Sequence, residues 1–130
     1  GWAVTAHTDP ELWDRRTKHL DDLLNLVAGN PIARLTYAEK LSRAHDVETV
    51  LGLWATWWRD VLLVQQRIPE AVLNLARRPK LLQQAELFGT EQVQLALADL
   101  MQTLHRIRAN VNLRLALDVL LLRLPKPAIV

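Results

Sequence analysis

Residues 110–125 read Asn-Val-Asn-Leu-Arg-Leu-Ala-Leu-Asp-Val-Leu-Leu-Leu-Arg-Leu-Pro, and wound as a helix they are apolar on almost every side. At about 100° per residue, Arg114 and Asp118 share a narrow stripe, Leu121 and Leu122 close that stripe one turn later, and Arg123 points the opposite way. No broad wet face remains, so the helix belongs in a core or between subunits. It ends at Pro125 after about a dozen helical residues, whereas a membrane span needs roughly 20. No membrane association is expected.

The chain has 130 residues, half of them apolar, which suits one domain, here taken as residues 1–130. It carries no cysteine, which removes disulfides and thiolate metal sites and fits a reducing cytoplasm. The net charge is +2 from 16 basic and 14 acidic side chains, and the signs are interspersed except at Arg77, Arg78 and Lys80. A dedicated nucleic-acid surface usually gathers its surplus on one face, so DNA contact is not expected of this chain. The first residue is Gly and no cap precedes Trp2-Ala3-Val4, which reads as a fragment of a longer protein.

Thr8-Asp9-Pro10-Glu11 has capping-box spacing and opens a helix that runs to about Ala28, with Leu12, Trp13, Leu20, Leu23, Leu24 and Val27 on one side. Gly29 stops it, and Asn30-Pro31 starts a second helix over about Ile32 to Ala44. Asp46 is the expected N-cap of a third, Val47 to Gln66, whose Val47, Val50, Leu51, Trp54, Trp57, Trp58, Val61 and Leu62 fall within an arc of about 140°. Leu53, Leu63 and Val64 lie outside that arc, so this helix is expected to meet two neighbours, one of which can be another chain. Pro69 and Pro79 break the middle of the chain into Glu70 to Arg77 and Lys80 to Phe88. Thr90 then caps a helix with a stripe of Val93, Ala96, Leu97, Leu100, Leu104 and Ile107. Neither an alternating strand pattern nor a repeat is visible, and the chain reads as all-α.

No nucleotide, hydrolase or nucleophile motif occurs, and His7, His19, His45 and His105 are spaced too irregularly to share a metal. Asp21-Asp22 has the look of a magnesium pair but sits among Lys18 and Asn25 on a polar face. Arg77, Arg78 and Lys80 are the one candidate phosphate contact, with a solvated turn the favoured reading. Asp118 draws more notice, because a carboxylate in so apolar a helix is costly unless paired, and Arg114 lies one turn earlier. Catalytic, cofactor and metal roles are therefore assigned to no residue.

The order Trp54, then Trp57-Trp58-Arg59-Asp60-Val61-Leu62, then Asn110 through Asp118 resembles the C-terminal domain of the bacterial DNA polymerase III delta-prime subunit. Ala38-Glu39-Lys40-Leu41 resembles that family's Ala-Glu-Lys segment. Gly1-Trp2-Ala3 resembles the tail of its Gly-x-Pro-Gly-x-Ala turn, which places residues 1–7 at the end of a preceding lid domain. The family usually has Glu where this chain has Asp118. The resemblance implies a compact bundle of five to seven helices, a clamp-loader collar whose partners are gamma/tau and delta-type subunits, and a role in placing the sliding clamp on DNA. Trp58, Arg59, Asp60, Arg114 and Asp118 become candidate interface or anchoring residues. The isolated chain is expected to expose apolar surface and self-associate.

Two rivals make distinct expectations. A ligand-binding helical domain of a TetR-like transcription regulator requires an enclosed cavity bordered by Trp54, Trp57 or Trp58. A helical enzyme using Asp21 and Asp22 requires the two carboxylates to converge on a metal.

Overall fold

The computed structural model describes residues 10–109 and 112–126, so the expectations placed on residues 1–7, on the Thr8 cap and on the Asn110-Val111 break lie outside the described residues. Among them are six α-helices and no strand: α1 (Pro10–Ala28), α2 (Pro31–Ser42), α3 (Val47–Gln65), α4 (Arg78–Leu87), α5 (Thr90–Arg108) and α6 (Leu113–Leu122). Two 3-10 turns, Pro69–Ala71 and Leu75–Arg77, connect α3 to α4. The all-α bundle expected from the periodicity is what the chain forms.

Helix α3 is the central post. It packs against α1, α4 and α5, while α6 lies across α2 and α5. Val50, Leu51, Trp54, Trp57, Trp58 and Val61 are fully buried, as the arc of apolar spacing requires. Tyr37 tilts over Trp54 at 5.8 Å, and Phe88 meets Trp58 edge-on at 5.7 Å. The Trp54 indole donates to the His19 carbonyl at 2.9 Å, so its one polar atom is satisfied inside the core. The flanking strip of Leu53, Leu63 and Val64 is half-buried, with Leu63 and Val64 packed against the core.

Local chemistry fixes most helix ends. Asn30 accepts from the Ala33 N–H at 2.8 Å with Pro31 next to it, and Asn112 accepts from Leu115 N–H at 3.1 Å. Asp46 makes no capping bond and instead faces His19, Nε2 to Oδ2 3.4 Å. Gly89, not Thr90, is the N-cap of α5, with the Gln92 side chain accepting from the Gly89 N–H at 3.1 Å. Pro79 does not end a helix; it lies in the first turn of α4, where its missing N–H is not needed.

The segment Glu70 to Arg77 is not the helix expected. A helix there would need the N–H groups of Leu73 and Asn74 for bonds to residues four earlier. The Asp60 carboxylate takes both, so the backbone runs as two tight turns around it.

At the end of α3, Arg67 stands at φ 63°, the one non-glycine residue with positive φ among those described. The Ile68 N–H donates to Leu63 O at 2.8 Å and the Arg67 N–H to Val64 O at 3.0 Å, the paired bonds of a Schellman stop that normally places Gly at this position. A left-handed L-residue costs about 1–2 kcal/mol, offset in part by the entropy that glycine loses on folding. Arg67→Gly is therefore expected to raise stability by about 0.5–1 kcal/mol, read as a higher urea midpoint with unchanged slope. A lower midpoint would contradict the strain.

Candidate interaction surface

The final helix is less enclosed than its composition implies. Ala116, Leu117, Leu120 and Leu121 face the core, but Leu115, Val119 and Leu122 are 59%, 41% and 42% exposed. Their spacing of four then three residues is that of a seam between packed helices, so they form one apolar stripe opposite the buried face. Arg114 and Asp118 flank it, Nε to Oδ1 3.0 Å. Asp118 is thus not the deeply buried carboxylate the sequence suggested. Its rim position keeps it in contact with water, and an exposed pair of this kind contributes well under about 1 kcal/mol. Arg123 ties the far end of α6 to α5 through Asp99 at 3.2 Å.

Behind that helix lies Arg34, which periodicity does not single out. It is fully buried in α2, and its guanidinium donates to six carbonyls: Leu26 and Val27 at the end of α1, and Leu121, Leu122, Leu124 and Pro125 at the end of α6. Neither helix has a basic residue in its own last turn. One cation therefore serves the negative ends of two helix dipoles, as the second donor to Leu26 O and Leu121 O, which also accept from the Gly29 and Leu124 N–H groups. Desolvation lowers the pKa of Arg34 below its usual value. A guanidinium with all its N–H groups engaged is the cation best suited to such a place.

Trp58 and Asp60 are wholly inside the fold, and Arg59 between them is about half exposed, its Nη1 3.7 Å from Asp60. Asp60 accepts from Leu73 N–H at 3.0 Å, Asn74 N–H at 2.8 Å and the Asn74 side-chain amide at 2.6 Å. It anchors the connection between α3 and α4. Gln65 holds the other end of α4, donating to Ala85 O at 3.2 Å and Phe88 O at 2.8 Å.

The acidic pair of α1 is divided between partners. Asp21 binds Arg77 at 2.7 Å, whereas Asp22 binds Lys18 at 3.1 Å and accepts from the Tyr37 hydroxyl at 3.0 Å. Burial, and then the negative charge of Asp22, push the Tyr37 phenol well above its usual pKa, so it stays a neutral donor. No group of three His, Asp or Glu able to hold a metal occurs among the described residues. Of the basic trio, Arg77 is held by Asp21 and by Thr17 O at 3.3 Å, while Arg78 and Lys80 are exposed.

A partly open cleft of about 300 Å³ separates α1 from the α3–α4 connection, lined by Arg16, Leu20, Leu73, Leu75, Ala76 and Arg77 among others. A much smaller one lies between α5 and α6. Neither touches Trp54, Trp57 or Trp58. Among the described residues these rings fill the core, and the TetR-like alternative is not supported.

No described helix is long and apolar enough to cross a membrane. No curated protein and no solved structure matches the chain. The family described as DNA polymerase III, delta subunit, C terminal matches residues 10–126, from the first described residue to just past Pro125. With an all-helical bundle over the same residues, the chain belongs to this family and is a clamp-loader collar-type domain of DNA polymerase III.

Proposed function

We propose that this domain assembles a clamp loader by seating the Leu115–Val119–Leu122 stripe of α6 against a helix of a neighbouring subunit. The observation that carries this is the stripe itself: three large aliphatic side chains at seam spacing, open in a chain whose family belongs to a multisubunit polymerase. Arg34 supports it by fixing the end of α6 to α1, so that the stripe is presented on a rigid helix. The contribution of the domain is assembly rather than catalysis, in the cytoplasm, with DNA held elsewhere in the loader. The delta-prime identity rests on the order of Trp54, Trp57-Trp58-Arg59-Asp60 and Asn110 through Asp118, and gamma/tau and delta-type subunits are the neighbours it implies. In isolation the same stripe is the surface through which the chain would self-associate.

Leu115→Asp together with Val119→Asp, made in the subunit that carries this domain, is expected to weaken association with gamma/tau and delta-type subunits at least about tenfold, because buried apolar anchors dominate such interfaces. The circular dichroism spectrum should not change, since both side chains face outward. Gel filtration showing a loader assembled as tightly as with the parent chain would remove α6 as the seat.

A further inference from the structure

We propose that the cleft between α1 and the α3–α4 connection is a second docking site, one that takes an acidic, leucine-bearing helical segment of another protein. It shares no residue with the α6 stripe and does not depend on the collar reading.

The cleft is built rather than incidental. Asp60 holds the N–H groups of Leu73 and Asn74, and the Asn74 side chain turns inward to the same carboxylate. The residues on either side are thereby turned out, leaving Leu73 and Leu75 at 58% and 64% exposed, with buried Leu20 at the base of the cleft.

The charge around it has one sign to spare. Arg77 is neutralised by Asp21. Arg16 donates to the Asn74 side-chain oxygen at 3.3 Å, and among residues 14–109 and 112–126 no carboxylate lies within 4.0 Å of it. An occupant with leucines for the cleft and a carboxylate for Arg16 complements both features. A volume of about 300 Å³ suits a few side chains of a helix laid in a groove. Single-stranded nucleic acid would call for aromatic stacking surfaces, and the cleft lining has none.

The test uses the whole chain and a fluorescein-labelled peptide of about five helical turns, with leucine at i, i+3, i+4 and i+7 and glutamate elsewhere. Fluorescence anisotropy should show saturable binding that weakens with salt, at least about tenfold lower affinity for Leu75→Asp and for Leu73→Asp, and several-fold lower for Arg16→Glu. Each variant should keep the parent circular dichroism spectrum. Equal binding of a leucine–lysine peptide, or parent affinity in both leucine variants, overturns the proposal. A tenfold gain in peptide affinity for Trp2→Asp would assign the cleft to the chain's own first residues, and loss of self-association in Leu75→Asp on ultracentrifugation would assign it to a second copy. Displacement of the peptide by an oligothymidylate would assign it to nucleic acid. Each of these three results rejects an acidic protein segment as the occupant.

Discussion

Arg34→Met is expected to lower the unfolding free energy by about 4 kcal/mol, a large share of the roughly 5–15 kcal/mol that holds a domain of this kind together. Met replaces the aliphatic stem of Arg34 but not the guanidinium beyond it, so the loss combines the missing donors with the space they occupied. Removing the guanidinium takes a donor from the carbonyls of Leu26, Val27, Leu121, Leu122, Leu124 and Pro125, of which Leu26 and Leu121 keep the N–H groups of Gly29 and Leu124. Each buried acceptor left with no donor costs about 1–3 kcal/mol alone, but two of the six keep a backbone partner and the rest are neighbours that relax together, so the sum is well below six separate penalties. The desolvation that lowers the pKa of Arg34 is recovered on substitution, which reduces the loss further. Arg34→Lys should restore less than half, because an ammonium keeps the charge but cannot reach both helix ends in one plane. Urea unfolding followed by circular dichroism measures this as a fall in midpoint at constant slope. A loss under about 1 kcal/mol for Arg34→Met would show that the two helix ends are held by packing alone. The same variant tests the link to assembly: with α6 no longer tied to α1, subunit association should weaken even though the Leu115 stripe is intact.

Arg34 also shows what a linear reading can and cannot reach. The buried face of α3 is legible because its spacing follows the helical period and the fold obeys that period along its whole length. Arg34 is illegible because its value lies in carbonyls of α6 that are 87 to 91 residues away in the chain, and backbone acceptors leave no mark on the sequence. The final helix departs from expectation in the opposite direction. Its leucines state a preference for burial, but which of them the chain itself covers depends on where α2 and α5 lie. Leu115, Val119 and Leu122 are left over. The connection from 66 to 77 departs for a third reason, since local propensity favours a helix over Glu70 to Arg77 and a tertiary contact from Asp60 overrides it. Asp60 stands out in the sequence only through the resemblance of Trp57-Trp58-Arg59-Asp60 to a known family.

Asp60→Ala is the second substitution expected to act strongly, with a loss of about 3 kcal/mol. The carboxylate is fully buried and accepts from two backbone N–H groups and one side-chain amide. Arg59, at 3.7 Å and half exposed, supplies only a weak counter-charge, so these hydrogen bonds are what make the burial of Asp60 tolerable. Truncation strands three donors, of which the two from Asn74 are buried and that of Leu73 is partly so. Asp60→Asn separates charge from shape. Its oxygen can still accept, but its NH₂ must then face a donor, and a loss of about 2 kcal/mol is expected. Two local readouts distinguish loss of an anchor from general destabilisation. Hydrogen exchange at the Leu73 and Asn74 amides should accelerate far more than at Leu51 or Trp57 in the core of α3. Leu73 and Leu75 should also lose their fixed outward placement, so that the leucine–glutamate peptide binds the folded Asp60→Asn variant at least about tenfold more weakly while association through α6 is unaffected. Uniform acceleration of exchange across α3 and the connection, with peptide affinity unchanged, would mean that Asp60 stabilises the bundle without shaping the cleft.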